Sequence, residues 1–181
     1  MSHQRTEGGS AKLTQPWGQM RKDAKVLHDA SNQDTILIVE DLPDHALLLQ
    51  RELRKAGVLN RFFVVDNGAE AIGFLGGARQ FVNRARFPLP TIILLDLKLK
   101  GDVQGFDVLT WIRSRHEFDS ILVIVLSDLE HPDVIRQAYE MGANTYLIKP
   151  ADREELRNTI EGFKRYWSLK DDLATESAAL K

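Results

Sequence analysis

Five short, unbroken apolar runs set the limits on what this chain can fold into. They are Ile36-Leu37-Ile38-Val39, Phe62-Phe63-Val64-Val65, Ile92-Ile93-Leu94-Leu95, Ile121–Leu126 and Tyr146-Leu147-Ile148. Each is rich in branched or aromatic residues, and none alternates apolar with polar. Such runs read as strands buried on both faces, as in a parallel sheet. Stretches with helical spacing separate them. Asp44–Ala56 brings Ala46, Leu47, Leu49, Leu53 and Ala56 near one stripe and ends at Gly57. Gly68–Leu75 is closed by Gly76-Gly77, and Phe106–Arg115 carries Val108, Leu109 and Ile112 on one side. Asp133–Met141 follows Pro132, a good first-turn residue, and stops at Gly142. Asp152–Trp167 opens on acidic residues and has Leu156, Ile160, Phe163 and Trp167 as its apolar face.

Strand and helix therefore alternate five times. Right-handed crossovers turn that order into an α/β fold, a doubly wound five-stranded parallel sheet of the (βα)5 flavodoxin-like kind with strand order 2-1-3-4-5. The connector 77–90 is longer than the others and holds Arg79, Arg84 and Arg86. It is expected to be an exposed, basic excursion. Residues 1–34, poor in bulky apolar side chains, are expected to form a flexible N-terminal arm. Residues 35–167 form the folded domain, and 168–181 a C-terminal tail too short for a second one.

Composition mainly excludes. The 181 residues carry a net charge of -2, so there is no electrostatic case for a nucleic-acid partner, although a local basic patch is compatible with that average. There is no cysteine, which removes disulfides, thiolate nucleophiles and Cys-based zinc sites. No apolar run approaches the roughly 20 residues that span a bilayer. The first thirty residues lack a signal-peptide core. The expectation is a cytoplasmic protein with no membrane partner.

In an open α/β sheet, ligands bind beyond the carboxyl ends of the strands. There the chain has Glu40-Asp41 after strand 1, Asp96 after strand 3, Ser127-Asp128 after strand 4 and Lys149-Pro150 after strand 5. Taken singly, each is better read as a cap or a solvated surface residue. Jointly they make a site. Carboxylates from neighbouring strands 1 and 3 converge and repel, and a hard divalent cation such as Mg2+ relieves the repulsion. A lysine and a hydroxyl at the same edge can bind the remaining oxygens of a phosphoryl group. The combination suits phosphoryl transfer to a carboxylate.

The stretches Ile38-Val39-Glu40-Asp41, Leu94-Leu95-Asp96-Leu97, Val125-Leu126-Ser127 and Tyr146-Leu147-Ile148-Lys149-Pro150 resemble the receiver domains of two-component response regulators. The resemblance covers residues 35 to 167. The long connector before strand 3 and the final Tyr166-Trp167 are similar to single-domain regulators associated with bacterial phytochromes. The resemblance implies that Asp96 is the phosphoacceptor and that Asp41 is a direct metal ligand, with Glu40 acting through water. It implies that Lys98 lends its backbone carbonyl to Mg2+ and that Lys149 binds phosphate. Ser127 becomes the switch hydroxyl, Tyr146 the switch aromatic that moves inward, and the bond to Pro150 is cis. The partner implied is a sensor histidine kinase, and the protein is a self-catalysed phosphoacceptor rather than an enzyme.

The pattern also departs from the family. Lys98 stands where Asn is common in the subgroup, and Lys100 replaces a usual Pro. Asp128 adds negative charge beside the switch serine, and Gly101–Gly105 is long. These changes bear on the rate and lifetime of phosphorylation. His45, His116 and His131 are expected at the surface. A receiver-like binding module without phosphorylation is the alternative. An Asp-nucleophile phosphatase would want an Asp where Lys98 stands, and no helix-turn-helix follows for a transcription factor. Phe163, Tyr166, Trp167 and Leu169, with Tyr139 and Met141 nearby, suggest a homodimer through the strand 4, strand 5 and last-helix face.

Overall fold

The computed structural model describes residues 35–150 and 154–162. Five strands, β1 (Thr35–Val39), β2 (Arg61–Val65), β3 (Ile92–Leu95), β4 (Leu122–Ser127) and β5 (Thr145–Ile148), alternate with helices. These are α1 (Pro43–Lys55), α2 (Gly68–Gly76), α3 (Gly105–Arg113) and α4 (Pro132–Glu140), and residues 154–162 form a further helix, α5. All four strand pairs are parallel, and the order is β2-β1-β3-β4-β5, as the alternating pattern predicts.

Strand alternation divides the core between the two faces of the sheet. Leu37, Val39, Ile93, Leu95, Val123 and Val125 pack with residues of α2, α3 and α4. Ile36, Ile38, Ile92, Leu94, Leu122 and Ile124 pack with Ala46 and Leu53 of α1 and with Leu156 and Ile160 of α5. The middle strands β1, β3 and β4 are buried at every position, which explains their unbroken apolar runs.

Three expectations need revision. β2 was read as buried on both faces. It is an edge strand, with Arg61 and Val64 exposed and only Val65 fully buried. Leu47 was assigned to the buried stripe of α1. It is 56% exposed, because Ala46 and Leu53 set the packed face and Leu47 points one residue past it. Ser127 closes β4, as expected, and is fully buried.

The connector 77–90 is exposed over much of its length, Arg79 and Arg86 included, as expected, but it is also anchored to the core. Phe81 is buried, and its ring meets Phe74 and Phe87 at 5.1 and 5.3 Å, with Phe63 completing the cluster. Arg84 folds back onto the end of α2 and donates to the carbonyls of Phe74 (2.7 Å), Leu75 (2.5 Å) and Phe87 (3.3 Å). The Phe74 and Leu75 carbonyls belong to the last turn of α2, where carbonyls lack full helical partners, so the guanidinium caps that end while its bond to Phe87 ties in the connector. Gly77 makes the turn possible with φ +64. The arm 1–34, the tail 168–181 and the aromatic end at Phe163, Tyr166, Trp167 and Leu169 lie outside the described residues.

Candidate phosphoryl-acceptor site

Backbone bonds that run past the strand ends bring the acidic residues together. The amide of Glu40 donates to Val65 and that of Asp96 to Val39, at 3.1 and 3.0 Å. The β1 and β3 ladders thus continue one residue beyond the strands, and their carboxylates meet at one edge. The amide of Lys149 donates to Ser127 at 3.0 Å and does the same for β5. The Lys149–Pro150 peptide is cis. Gly105, the first residue of α3, lies against the acceptor loop. A Cβ there would overlap the Asp96 carbonyl oxygen and the Leu97 Cα, so only glycine lets α3 start so close to Asp96.

Carboxylate oxygens of Glu40, Asp41 and Asp96 all lie within 4.8 Å of one another. Glu40 is 3% exposed and Asp96 8%, while Asp41 is half-buried. Lys149 Nζ donates to Glu40 Oε2 at 2.5 Å and to Asp96 Oδ2 at 2.7 Å. Burial alone would lower the lysine pKa. The hydrogen bonds and negative charges of Asp96 and Glu40 outweigh it, so the ammonium is held above its usual range. The other Asp96 oxygen accepts from the Lys98 amide at 3.1 Å. One cation therefore serves two carboxylates and leaves Asp41 outside the pairing. Three carboxylates against one ammonium fit a small hard cation, which would complete the charge and take oxygen ligands.

Ser127 Oγ accepts from the Leu129 amide at 3.4 Å, and Tyr146 donates its hydroxyl to the Leu129 carbonyl at 2.7 Å. Tyr146 is 9% exposed and so already sits inward. Burial pushes its phenol pKa up, and the charges of Asp96 and Asp128 add to that. Behind it, the Tyr139 hydroxyl accepts from the Tyr146 amide at 3.1 Å. A single loop, centred on Leu129, thus joins the serine at the site to the tyrosine of β5.

All seven residues singled out from the sequence lie at this end of the sheet. The carboxylates of Glu40, Asp41 and Asp96 cluster, Lys149 bridges Glu40 and Asp96, and Lys98 reaches Asp96 through its N–H. Ser127 and Tyr146 meet at Leu129. Sequence reasoning missed two neighbours. His45 Nδ1 lies 3.5 Å from Glu40 Oε1. The signal was available, because a helix starting at Pro43 must lay its first turn over Glu40. The ion pair of Lys100 with Asp66, at 2.5 Å, ties the loop after β3 to the loop after β2. It raises the lysine pKa and lowers that of the carboxylate. No sequence spacing announces it. Asp128 is exposed and lines a cavity of about 340 Å³ with Glu40, Lys149 and Leu126. It does not cap α4. That role belongs to His131, whose Nδ1 accepts from the Asp133 amide at 3.3 Å.

An open parallel sheet with converging carboxylates and a bridging lysine at its carboxyl edge is the arrangement of a receiver-type signalling module. Residues 36–161 match the response regulator receiver domain, and the chain belongs to that family. It is 36% identical over 143 residues to the probable methanogenesis regulatory protein FilR2 of Methanothrix harundinacea, covering 77% of this chain and 86% of that one. It is 31% identical to response regulator Rcp1 of Synechocystis, over 78% of this chain and 94% of that one. A crystal structure of a response regulator in red light signaling of R. palustris superposes with a TM-score of 0.64 at 29% identity, covering 74% of this chain and 93% of that one. Rcp1 has also been solved in a Mn(2+)-bound form, which superposes with a TM-score of 0.61 at 28% identity, over 74% and 94%. The resemblance seen in the sequence, including the link to phytochrome-associated relatives, therefore holds.

Proposed function

We propose that Asp96 accepts a phosphoryl group from a partner histidine kinase and that the protein signals by phosphorylation-dependent contacts. The observation that carries this reading is the position of Asp96, between Lys149 Nζ at 2.7 Å and the Lys98 amide at 3.1 Å, inside a cluster of three carboxylates. Mg2+ would be held by Asp41, Asp96, Glu40 through water, and the Lys98 carbonyl, and it would neutralise charge on the transferring group. An Asp96 oxygen attacks phosphorus as the bond to the donor's leaving group breaks, giving an acyl phosphate. Lys149 is already beside that oxygen and follows it as a counter-charge to the phosphoryl group. Ser127 turns from Leu129 toward the new anion. That movement withdraws its contact with the loop that also holds Tyr146, and a pre-existing equilibrium at the β4–β5 face shifts.

The relatives in phytochrome and red light signalling favour a photosensory kinase. The reading also keeps the receiver at 35–167 between arm 1–34 and tail 168–181, acting in the cytoplasm with no turnover beyond slow loss of its own phosphate. The exposed Tyr139 (47%) and Ile148 (40%) support a homodimer through the β4, β5 and last-helix face. The test is incubation with acetyl phosphate and Mg2+, followed by phosphate analysis and light scattering. One acid-labile phosphate should form, none in Asp96→Asn, and the dimer fraction should change with it. A phosphate retained in Asp96→Asn would remove the assignment, and a monomer at every concentration in both states would remove the dimer.

A further inference from the structure

A second cation flanks the acidic cluster, from the loop after β3. In that loop Leu97 and Leu99 are buried, while Lys98 and Lys100 are exposed. The backbone there is fixed. Gln104 accepts from the Leu99 amide at 3.1 Å and donates to the Gly101 carbonyl at 2.7 Å, and its own amide donates to Asp107 at 2.9 Å. Val103 lies so close to Gly68 that a Cβ on the glycine would overlap its carbonyl oxygen, so the loop is also seated on the start of α2. From this loop Lys100 reaches Asp66, the residue after β2. Asp66 is itself oriented. Its other oxygen accepts from Asn67 Nδ2 at 2.7 Å, and Asn67 caps α2.

The strand order gives that ion pair its significance. β1 lies between β2 and β3. Val39 is in register with both Val65 and Leu95, so the next row holds Asp66, Glu40 and Asp96 side by side. A pair that joins the loops after β2 and β3 therefore passes the end of β1, where Asp41 follows Glu40. After Asp66, the carboxylates whose charge acts on the Lys100 ammonium are Asp41 and Glu70. With strands about 4.8 Å apart, a metal between Asp41 and Asp96 would lie roughly 5–10 Å from that ammonium. Lys149, on the other side, serves Glu40 and Asp96 and leaves Asp41 unpaired. An exposed ion pair such as this contributes little to stability. Its position gives it another effect, because a fixed cation beside Asp41 stabilises the free carboxylate and repels a divalent ion.

We propose that Lys100 sets the metal affinity of the acidic site. It is a built-in counter-ion that competes with the divalent cation for Asp41, and Asp66 holds it back. The proposal rests on the reading of that cluster as a metal site. The probe is Mn2+, titrated into the full chain without a phosphodonor and counted as free ion by electron paramagnetic resonance. At low salt Lys100→Gln should bind about two- to fivefold more tightly than wild type, and the gap should shrink at high salt as screening grows. Asp66→Asn frees the ammonium for Asp41 and should weaken binding. That loss should be larger with Lys100 present than in a Lys100→Gln background. Lys55→Gln removes the same charge at the far end of α1 and should leave the affinity unchanged. Lys100 and Asp66 are about half exposed, so their variants should fold, which circular dichroism checks. Affinity unmoved in Lys100→Gln, or moved equally in Lys55→Gln, would overturn the proposal. So would an Asp66→Asn effect that is the same with and without Lys100. Absence of Mn2+ binding by wild type, or full binding by Asp41→Asn, would instead remove the metal reading and the proposal with it.

Discussion

Replacing Lys149 with methionine tests how the acidic site is held together. The variant keeps an unbranched side chain out to Cε, with sulfur in place of Cδ, and removes the ammonium. In the wild-type protein that group lies 2.5 Å from Glu40 and 2.7 Å from Asp96, with 16% of its own side chain exposed. The partners' side chains are 3% and 10% exposed, so water cannot replace the lost cation. Removing one partner of a buried pair costs roughly 3–5 kcal/mol. The lysine's own partial exposure puts the expected loss near the lower end, at about 3 kcal/mol. Urea unfolding in EDTA, followed by circular dichroism, measures it. Adding Mg2+ should then narrow the gap between variant and wild type, because the metal takes over part of the lysine's charge. At ten times its dissociation constant, a ligand adds roughly 1.4 kcal/mol. A Lys149→Met protein as stable as wild type in EDTA, or a gap that ignores Mg2+, would refute the reasoning.

The two acidic neighbours should part company. Asp41→Asn removes a carboxylate that has no paired cation, so it should stabilise the chelated protein by about 1 kcal/mol and abolish the gain from Mg2+, whereas Glu40→Gln should destabilise it by losing the Lys149 pair. Equal urea midpoints for the two variants would count against the assigned roles. Arg84→Ala should cost about 2 kcal/mol, since it strips charged hydrogen bonds from three carbonyls, and unchanged thermal unfolding would mean that the connector holds without it. The raised pKa of Lys149 sets a pH window. Its contribution is fully present below the ordinary lysine value of 10.5 and is lost as pH rises through the higher folded value, so stability should fall more steeply above that point in wild type than in Lys149→Met. Parallel pH curves would remove Lys149 as the cause.

What the sequence discloses follows from the physics of each element. The interior strands β1, β3 and β4 are legible because burial on both faces demands unbroken apolar runs. The edge strand β2 carries a run of the same appearance, and only its place in the sheet exposes Arg61 and Val64. The connector is legible only in part. Arg79 and Arg86 are exposed, as its composition suggests, yet Arg84 serves backbone carbonyls, Phe81 is buried and Phe87 packs against the core. At the site, Glu40, Asp41, Asp96 and Lys149 are legible because strand ends in a parallel sheet share one edge. The Lys98 amide bond to Asp96 and the Lys100–Asp66 pair depend on the course of loops, which no periodicity encodes. His45 lies between these cases, since the helix start at Pro43 implies its position and only the structure gives its contact with Glu40.

The central claim is that Asp96 itself carries the phosphoryl group. Borohydride reduces an acyl phosphate to the alcohol and so converts a phosphorylated aspartate to homoserine at its own position. The protein is treated with acetyl phosphate and Mg2+, reduced, digested and sequenced by mass spectrometry. The account predicts homoserine at position 96 and nowhere else, and none when Mg2+ is chelated. Homoserine at position 41, or unmodified Asp96 in protein that has demonstrably gained phosphate, would contradict it.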